Sequence, residues 1–370
     1  VTWQNAGVGA QQSGPAARRE RLRRDLATQR ATRILVTDLT NIRYLTGFTG
    51  SNAALLIDAA GDEKSVICTD GRYLTQIAAE VPDLPLVWAR DCAPRLLNEA
   101  GAGPILIEDH AVTVAQWQRW QTIRSDIELV AATGTVAALR EVKDAGEIDH
   151  LRRACAIGDQ ALAEMLESGE IAVGRSERAI ARALEFRMLE LGAEDRSFES
   201  IVAGGPNSAI PHHQPADRVL VGGDLLTLDF GALVAGYHSD MTRTLAIGEP
   251  AQWQREIYEL VAEAAAAGRK ALVAGAGVVE VDNAAREVIT EAGYEDNFVH
   301  GLGHGVGLEI HEAPGIGAQG TGTLLCDAVV TVEPGVYLSG RGGVRIEDTL
   351  VVRPDGPELL THTTRDLIVV

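Results

Sequence analysis

Acidic residues recur inside apolar strand patterns at matched places in two parts of this chain, and that feature narrows the possible folds most. LLTLDFG (225–231) parallels VVTVEPG (329–335), which sets Asp229 against Glu333. HSDMTRTLAI (238–247) parallels VRIEDTLVV (344–352), which sets Asp240 against Glu347, each with a threonine two residues on (Thr242, Thr349). Upstream, Gly174, Gly192, Glu194 and Asp195 recur as Gly275, Gly293, Glu295 and Asp296, each set bracketing a helical stretch. A repeat of helices followed by two acid-bearing strands folds naturally with pseudo-two-fold symmetry, and the four carboxylates then meet near the axis. Acids set among valines and leucines are rarely plain surface residues. Four converging carboxylates repel one another and lose hydration, so a fold keeps such a cluster only where cations neutralise it.

A histidine completes the set. HGLGHGVGLEIHEAP (300–314) carries His300, His304 and His311 among glycines that let backbone come close to a site. A hard or borderline divalent ion accepts one imidazole among carboxylates. The Gly spacing does not mark a dinucleotide loop, because three histidines interleave and no βαβ unit surrounds it. Asp229-Phe230-Gly231 is not a kinase motif, since no Gly-rich loop, strand lysine or HRD accompanies it.

The 370 residues suggest two domains. Up to about residue 135, short apolar runs (Ile34–Val36, Ala53–Ile57, Val66–Cys68, Pro104–Ile107) alternate with helical segments, which predicts an α/β domain with a mixed or parallel sheet. A long amphipathic helix follows, with Ile148, Leu151, Cys155, Leu162 and Met165 on one face. The expected division is therefore a disordered tail over 1–17 without a signal sequence, a domain over 18–135, and a catalytic domain over 136–370. The net charge of −19 works against nucleic-acid binding. The arginines at 18, 19, 21, 23 and 24 are expected on the solvated face of a first helix. No run of 18 apolar residues exists, so no membrane span is expected. Four scattered cysteines read as reduced thiols of a cytoplasmic protein.

With these residues in view, the chain resembles the pita-bread metallopeptidases of the Xaa-Pro branch, aminopeptidase P and prolidase. The acids and His304 stand in that family's order, Asp-Asp-His-Glu-Glu. NIRYLTGFTGS (41–51), TDGRY (69–73), REVKDAGEIDHLRRA (140–154) and IVAGGPNSAIPHH (201–213) match its other landmarks. The resemblance implies an α+β fold: a pita-bread catalytic domain behind a creatinase-type N-terminal α/β domain. It implies two divalent ions held by Asp229, Asp240, His304, Glu333 and Glu347, with a bridging water or hydroxide. Mn²⁺ leads, with Co²⁺ or Zn²⁺ able to bind. Glu333 would shuttle the proton, and His212 and His311 would hold the substrate carbonyl. Arg345, His300, Tyr337 and Thr242 would line or support the site, while His213 reads as a neighbour. The implied reaction is hydrolysis of the bond between an N-terminal residue and proline, on dipeptides or longer peptides with a lean to dipeptides, by a homodimer. The alternatives are a methionine-type aminopeptidase and a non-catalytic pita-bread scaffold.

Overall fold

The computed structural model describes residues 13–29 and 31–370. Most of the expected tail lies outside the described residues, but its last part does not: Pro15 opens helix α1 (Pro15–Thr28), so 15–17 are helical. Proline suits that first position because the N–H it lacks would have no helical partner. Two compact units divide between Arg140 and Glu141. The first unit runs past residue 135 because helix α6 (Thr135–Glu141) belongs largely to it, with the Arg140 guanidinium donating to buried Asn41 Oδ1 at 2.9 Å.

Between α1 and α6 the first unit is built from β1 (Arg33–Val36), α2 (Leu39–Thr46), β2 (Ala53–Asp58), β3 (Val66–Thr69), α3 (Leu74–Glu80), β4 (Leu86–Trp88), α4 (Cys92–Glu99), β5 (Gly103–Glu108), α5 (Val114–Gln121) and β6 (Ile127–Ala132). Its sheet has the order β4-β3-β2-β1-β5-β6 and is mixed, with β1-β2 and β2-β3 antiparallel and the other pairs parallel. The four apolar runs read from sequence are β1, β2, β3 and β5. The outer strands β4 and β6 were not legible, since both are short on fully buried residues.

The arginines of α1 correct an expectation. The helix is present, but Arg18, Arg19 and Arg23 point inward with Leu22 and Leu26. Arg19 is fully buried; it donates to Asp62 through Nε (2.9 Å) and Nη2 (2.8 Å), and to the Leu45 carbonyl (2.9 Å). Arg18 caps the neighbouring Tyr44 carbonyl at 3.1 Å. The end of α2 leaves carbonyls without helical partners, and the guanidinium forks satisfy them.

The second unit repeats one plan. In its first half, α7 (Ala145–Glu167) and α8 (Glu177–Glu190) precede β7 (Asp195–Arg196), β8 (Ile201–Gly204), β9 (Leu225–Phe230), β10 (Ala232–Val234), β11 (Tyr237–His238) and β12 (Met241–Ala246). In its second half, α9 (Gln252–Ala271) and α10 (Val278–Glu291) precede β13 (Gly303–Gly305), β14 (Glu312–Ile316), β15 (Val329–Val332), β16 (Gly335–Leu338), β17 (Gly342–Arg345), β18 (Asp348–Val351) and β19 (Glu358–Leu359). The repeat extends to backbone conformation: Gly174 and Gly275 have φ of 91° and 90°. Each half gathers its own core. One holds Leu162, Leu184, Leu228 and Leu245, the other Val261, Ala285, Val330 and Leu350. The five helical positions read from sequence are all buried along α7, whose start is fixed by a reciprocal cap between Asp144 and Glu147.

Candidate active site

Two antiparallel strand pairs carry the acids. In β9-β12, Asp229 faces Thr242, and Asp240 lies just before β12. In β15-β18, Thr331 faces Thr349; Glu333 follows β15 and Glu347 precedes β18. The acids thus sit at corresponding ends of equivalent ladders. β13 delivers His304 between β14 and β15, and the crowding there explains the glycines. A Cβ on Gly303 would lie 2.0 Å from the Thr331 carbonyl oxygen, and one on Gly305 would lie 2.1 Å from that of Ala313.

Asp229, Asp240, His304, Glu333, Glu347, His212, His300, His311 and Arg345 all line one cleft of about 800 Å³. Tyr337 and Thr242 stand behind its wall. Thr242 Oγ1 donates to Glu347 Oε2 (2.7 Å) and accepts from Arg345 Nε (3.0 Å). Arg345 also donates to Tyr337 Oη (2.9 Å) and to Asp229 Oδ2 (2.6 Å). His300 Nδ1–H donates to the Gly301 carbonyl, so its Nε2 accepts from the Tyr337 hydroxyl at 2.8 Å. The His311 ring meets that of His304 edge-on, with centroids 4.3 Å apart. Sequence reading missed Thr331, whose hydroxyl donates to Glu333 at 3.3 Å and accepts from the His304 backbone at 3.1 Å. It also missed Glu177, which lies outside the cleft lining but accepts from cleft-lining His213 at 2.8 Å and left no local signal.

The donor set fits divalent cations. Ligating atoms of Asp240, His304 and Glu347 lie within 4.8 Å of one another. His304 Nδ1–H donates to the Gly305 carbonyl at 3.0 Å, which leaves the Nε2 lone pair turned to Asp240 (3.5 Å) and Glu333 (3.4 Å). Burial holds this imidazole neutral, its pKa brought down to about 4. A lone pair facing carboxylate oxygens is an arrangement that a cation between them satisfies. Asp229 Oδ1 is buried without a hydrogen-bond partner. Burial, then repulsion from neighbouring carboxylates, pushes Asp240 and Glu347 well above the ordinary carboxylate range. Burial raises Glu333 to about 8. Arg345 alone is too little positive charge for four acids.

The family model for metallopeptidase family M24 matches residues 149–354, more than half of the chain. The chain belongs to metallopeptidase family M24. The model for the creatinase/prolidase N-terminal domain matches residues 18–142 of this M24 protein. The fold is therefore the expected one, a pita-bread catalytic domain with a creatinase-type N-terminal α/β domain. Among curated relatives, the uncharacterized peptidase YqhT of Bacillus subtilis is 38% identical, covering 91% of this chain and 95% of its own. An Xaa-Pro dipeptidase from Bacillus anthracis superposes with a TM-score of 0.91 at 36% identity, covering 96% of this chain and all of its own. An X-Pro aminopeptidase from Thermotoga maritima superposes at 0.85 with 34% identity, covering 92% and 97%. Among the described residues, no helix is long and apolar enough to cross a membrane.

Proposed function

We propose that this M24 metallopeptidase binds two divalent cations, Mn²⁺ foremost, through Asp229, Asp240, His304, Glu333 and Glu347, and removes an N-terminal residue that precedes proline. The observation that carries the reading is the convergence of these five donors in one cleft, in a chain whose full-length likeness includes an Xaa-Pro dipeptidase. Bound there, the cations would activate water and polarise the scissile carbonyl. The protein's own groups do the rest. Glu333 takes the proton of the attacking water on its carboxylate and delivers it to the leaving nitrogen. His212 and His311, both on the cleft wall, donate to the substrate carbonyl as negative charge develops on its oxygen. Arg345 holds Asp229 in place through its 2.6 Å bond, and Thr242 does the same for Glu347. Between the two specificities, we favour Xaa-Pro dipeptides over longer peptides. Four free cysteines, three of them buried, support a reducing, cytoplasmic setting.

The test is a panel of Xaa-Pro dipeptides and Xaa-Pro-Yaa tripeptides, assayed before chelation, after it, and after return of Mn²⁺, Co²⁺ or Zn²⁺. Hydrolysis should vanish with the metal and return with it, and dipeptides should have the higher kcat/KM. Full activity in metal-free protein would overturn the metal reading. A preference for substrates without proline would overturn the specificity.

A further inference from the structure

His213, the neighbour of His212, has a definite partner. His213 Nε2 donates to Glu177 Oε2 at 2.8 Å. The same oxygen accepts from the Ala216 backbone at 3.0 Å, and Glu177 Oε1 accepts from the Gly204 backbone and from Asn207 Nδ2, both at 2.8 Å. One fully buried carboxylate therefore binds the segment 204–216 before, at and after the turn that carries His212. Glu177 is the first residue of α8, behind the N-cap Ser176. The positive end of the helix stabilises its charge there, and four donors replace the water it lost.

The turn itself runs from Ile210 to His213, closed by the His213 N–H donating to the Ile210 carbonyl at 3.2 Å. Its other flank is tied to the acid cluster, because Arg345 Nη1 donates to the Pro211 carbonyl at 3.3 Å while Nη2 holds Asp229. Apolar packing gives this turn little anchorage: Ile210 is 50% exposed. No strand ladder covers the stretch from His212 to Asp217. Polar ties flank His212 on both sides: Arg345 at Pro211 and Glu177 at His213, with Glu177 and the Arg178 N–H holding Ala216 further on.

We propose that Glu177 and His213 are positioning residues that fix His212 over the cleft. The proposal rests on the reading of His212 as a donor to the substrate carbonyl. A donor displaced by about 1 Å loses much of its effect on the transition state, since misplacement on that scale costs on the order of 10²-fold in rate.

A double-mutant cycle tests it on the peptide that the wild type cleaves best. His213→Ala and Glu177→Gln are each made alone and with His212→Ala, and His213→Gln serves as the conservative variant that keeps a donor. Expected is a fall in kcat of about tenfold or more for His213→Ala and Glu177→Gln, with metal content kept and KM changed little. In the His212→Ala background the same changes should cost less than about twofold, because the group they position is gone. His213→Gln should recover most of the loss. If His213→Ala costs the same factor in both backgrounds, or nothing in either, the positioning role is refuted while the reading of the site stands. If His212→Ala alone leaves kcat unchanged, the substrate-side reading of His212 falls, and the proposal falls with it.

Discussion

Replacing Thr242 by valine removes a hydroxyl that lies behind the cleft wall yet sits between two parts of the site. Thr242 is fully buried; it donates to Glu347 Oε2 at 2.7 Å and accepts from Arg345 Nε at 3.0 Å. Valine keeps the size, so no cavity opens and the change is confined to hydrogen bonding. A bond to a charged acceptor contributes about 1.5–3 kcal/mol. At about 1.4 kcal/mol per factor of ten, its loss expressed in cation binding corresponds to about one to two decades in affinity. Loss of a partner that orients a metal ligand typically costs about 10–100-fold, the same range. Binding is measured by competition with a chromophoric chelator, and kcat is measured at saturating metal. Thr242→Val should weaken the metal dissociation constant by about 10–100-fold and lower kcat as well, because Arg345 loses a support while holding Asp229. Thr242→Ser, which restores the hydroxyl, should recover most of both. An affinity within twofold of wild type for Thr242→Val, or a serine variant as weak as the valine one, would refute the reasoning.

Glu333→Ala should lose both metal and turnover, whereas Glu333→Gln, which keeps an oxygen donor without the base, should retain part of the metal while kcat collapses; equal metal loss in both variants would refute a base role separate from metal binding. Arg19→Ala should cost about 2–3 kcal/mol in urea unfolding, below the 3–5 kcal/mol of a wholly buried pair, because Asp62 and Asp83 keep side-chain exposures of 31% and 48%; a loss under about 0.5 kcal/mol would return these arginines to a merely superficial role. Sedimentation at micromolar concentration should show twice the 39.3 kDa chain mass, in keeping with the resemblance to two-domain Xaa-Pro peptidases and with Trp88 left 68% exposed on the edge strand β4; a fully active monomer would contradict it.

The sequence by itself picked out residues that the structure gathers in one cleft, and the repeated plan of the second unit. Asp229, Asp240, Glu333 and Glu347 were legible because each stands in or beside a strand whose apolar pattern is local and whose counterpart recurs in the other half. His304 was legible through the glycines around it, which the close approach of β14 and β15 requires. The inner strands β1, β2, β3 and β5 could be read for the same reason: burial writes itself into consecutive residues. Burial and hydrogen bonding between distant segments leave no such trace. Whether Arg19 faces water or Asp62 depends on a loop 43 residues away. The bonds from Arg345 to Asp229 and to Pro211 span 116 and 134 residues. The bond from Glu177 to His213 spans 36, and neither residue belongs to a periodic pattern. Arg19 and Glu177 carry no mark of burial in the sequence, and only folding brings their partners within about 3 Å. Only the tertiary structure could decide which charges turn inward, which nitrogen of His304 carries the proton, and which groups bond to the residues on either side of His212.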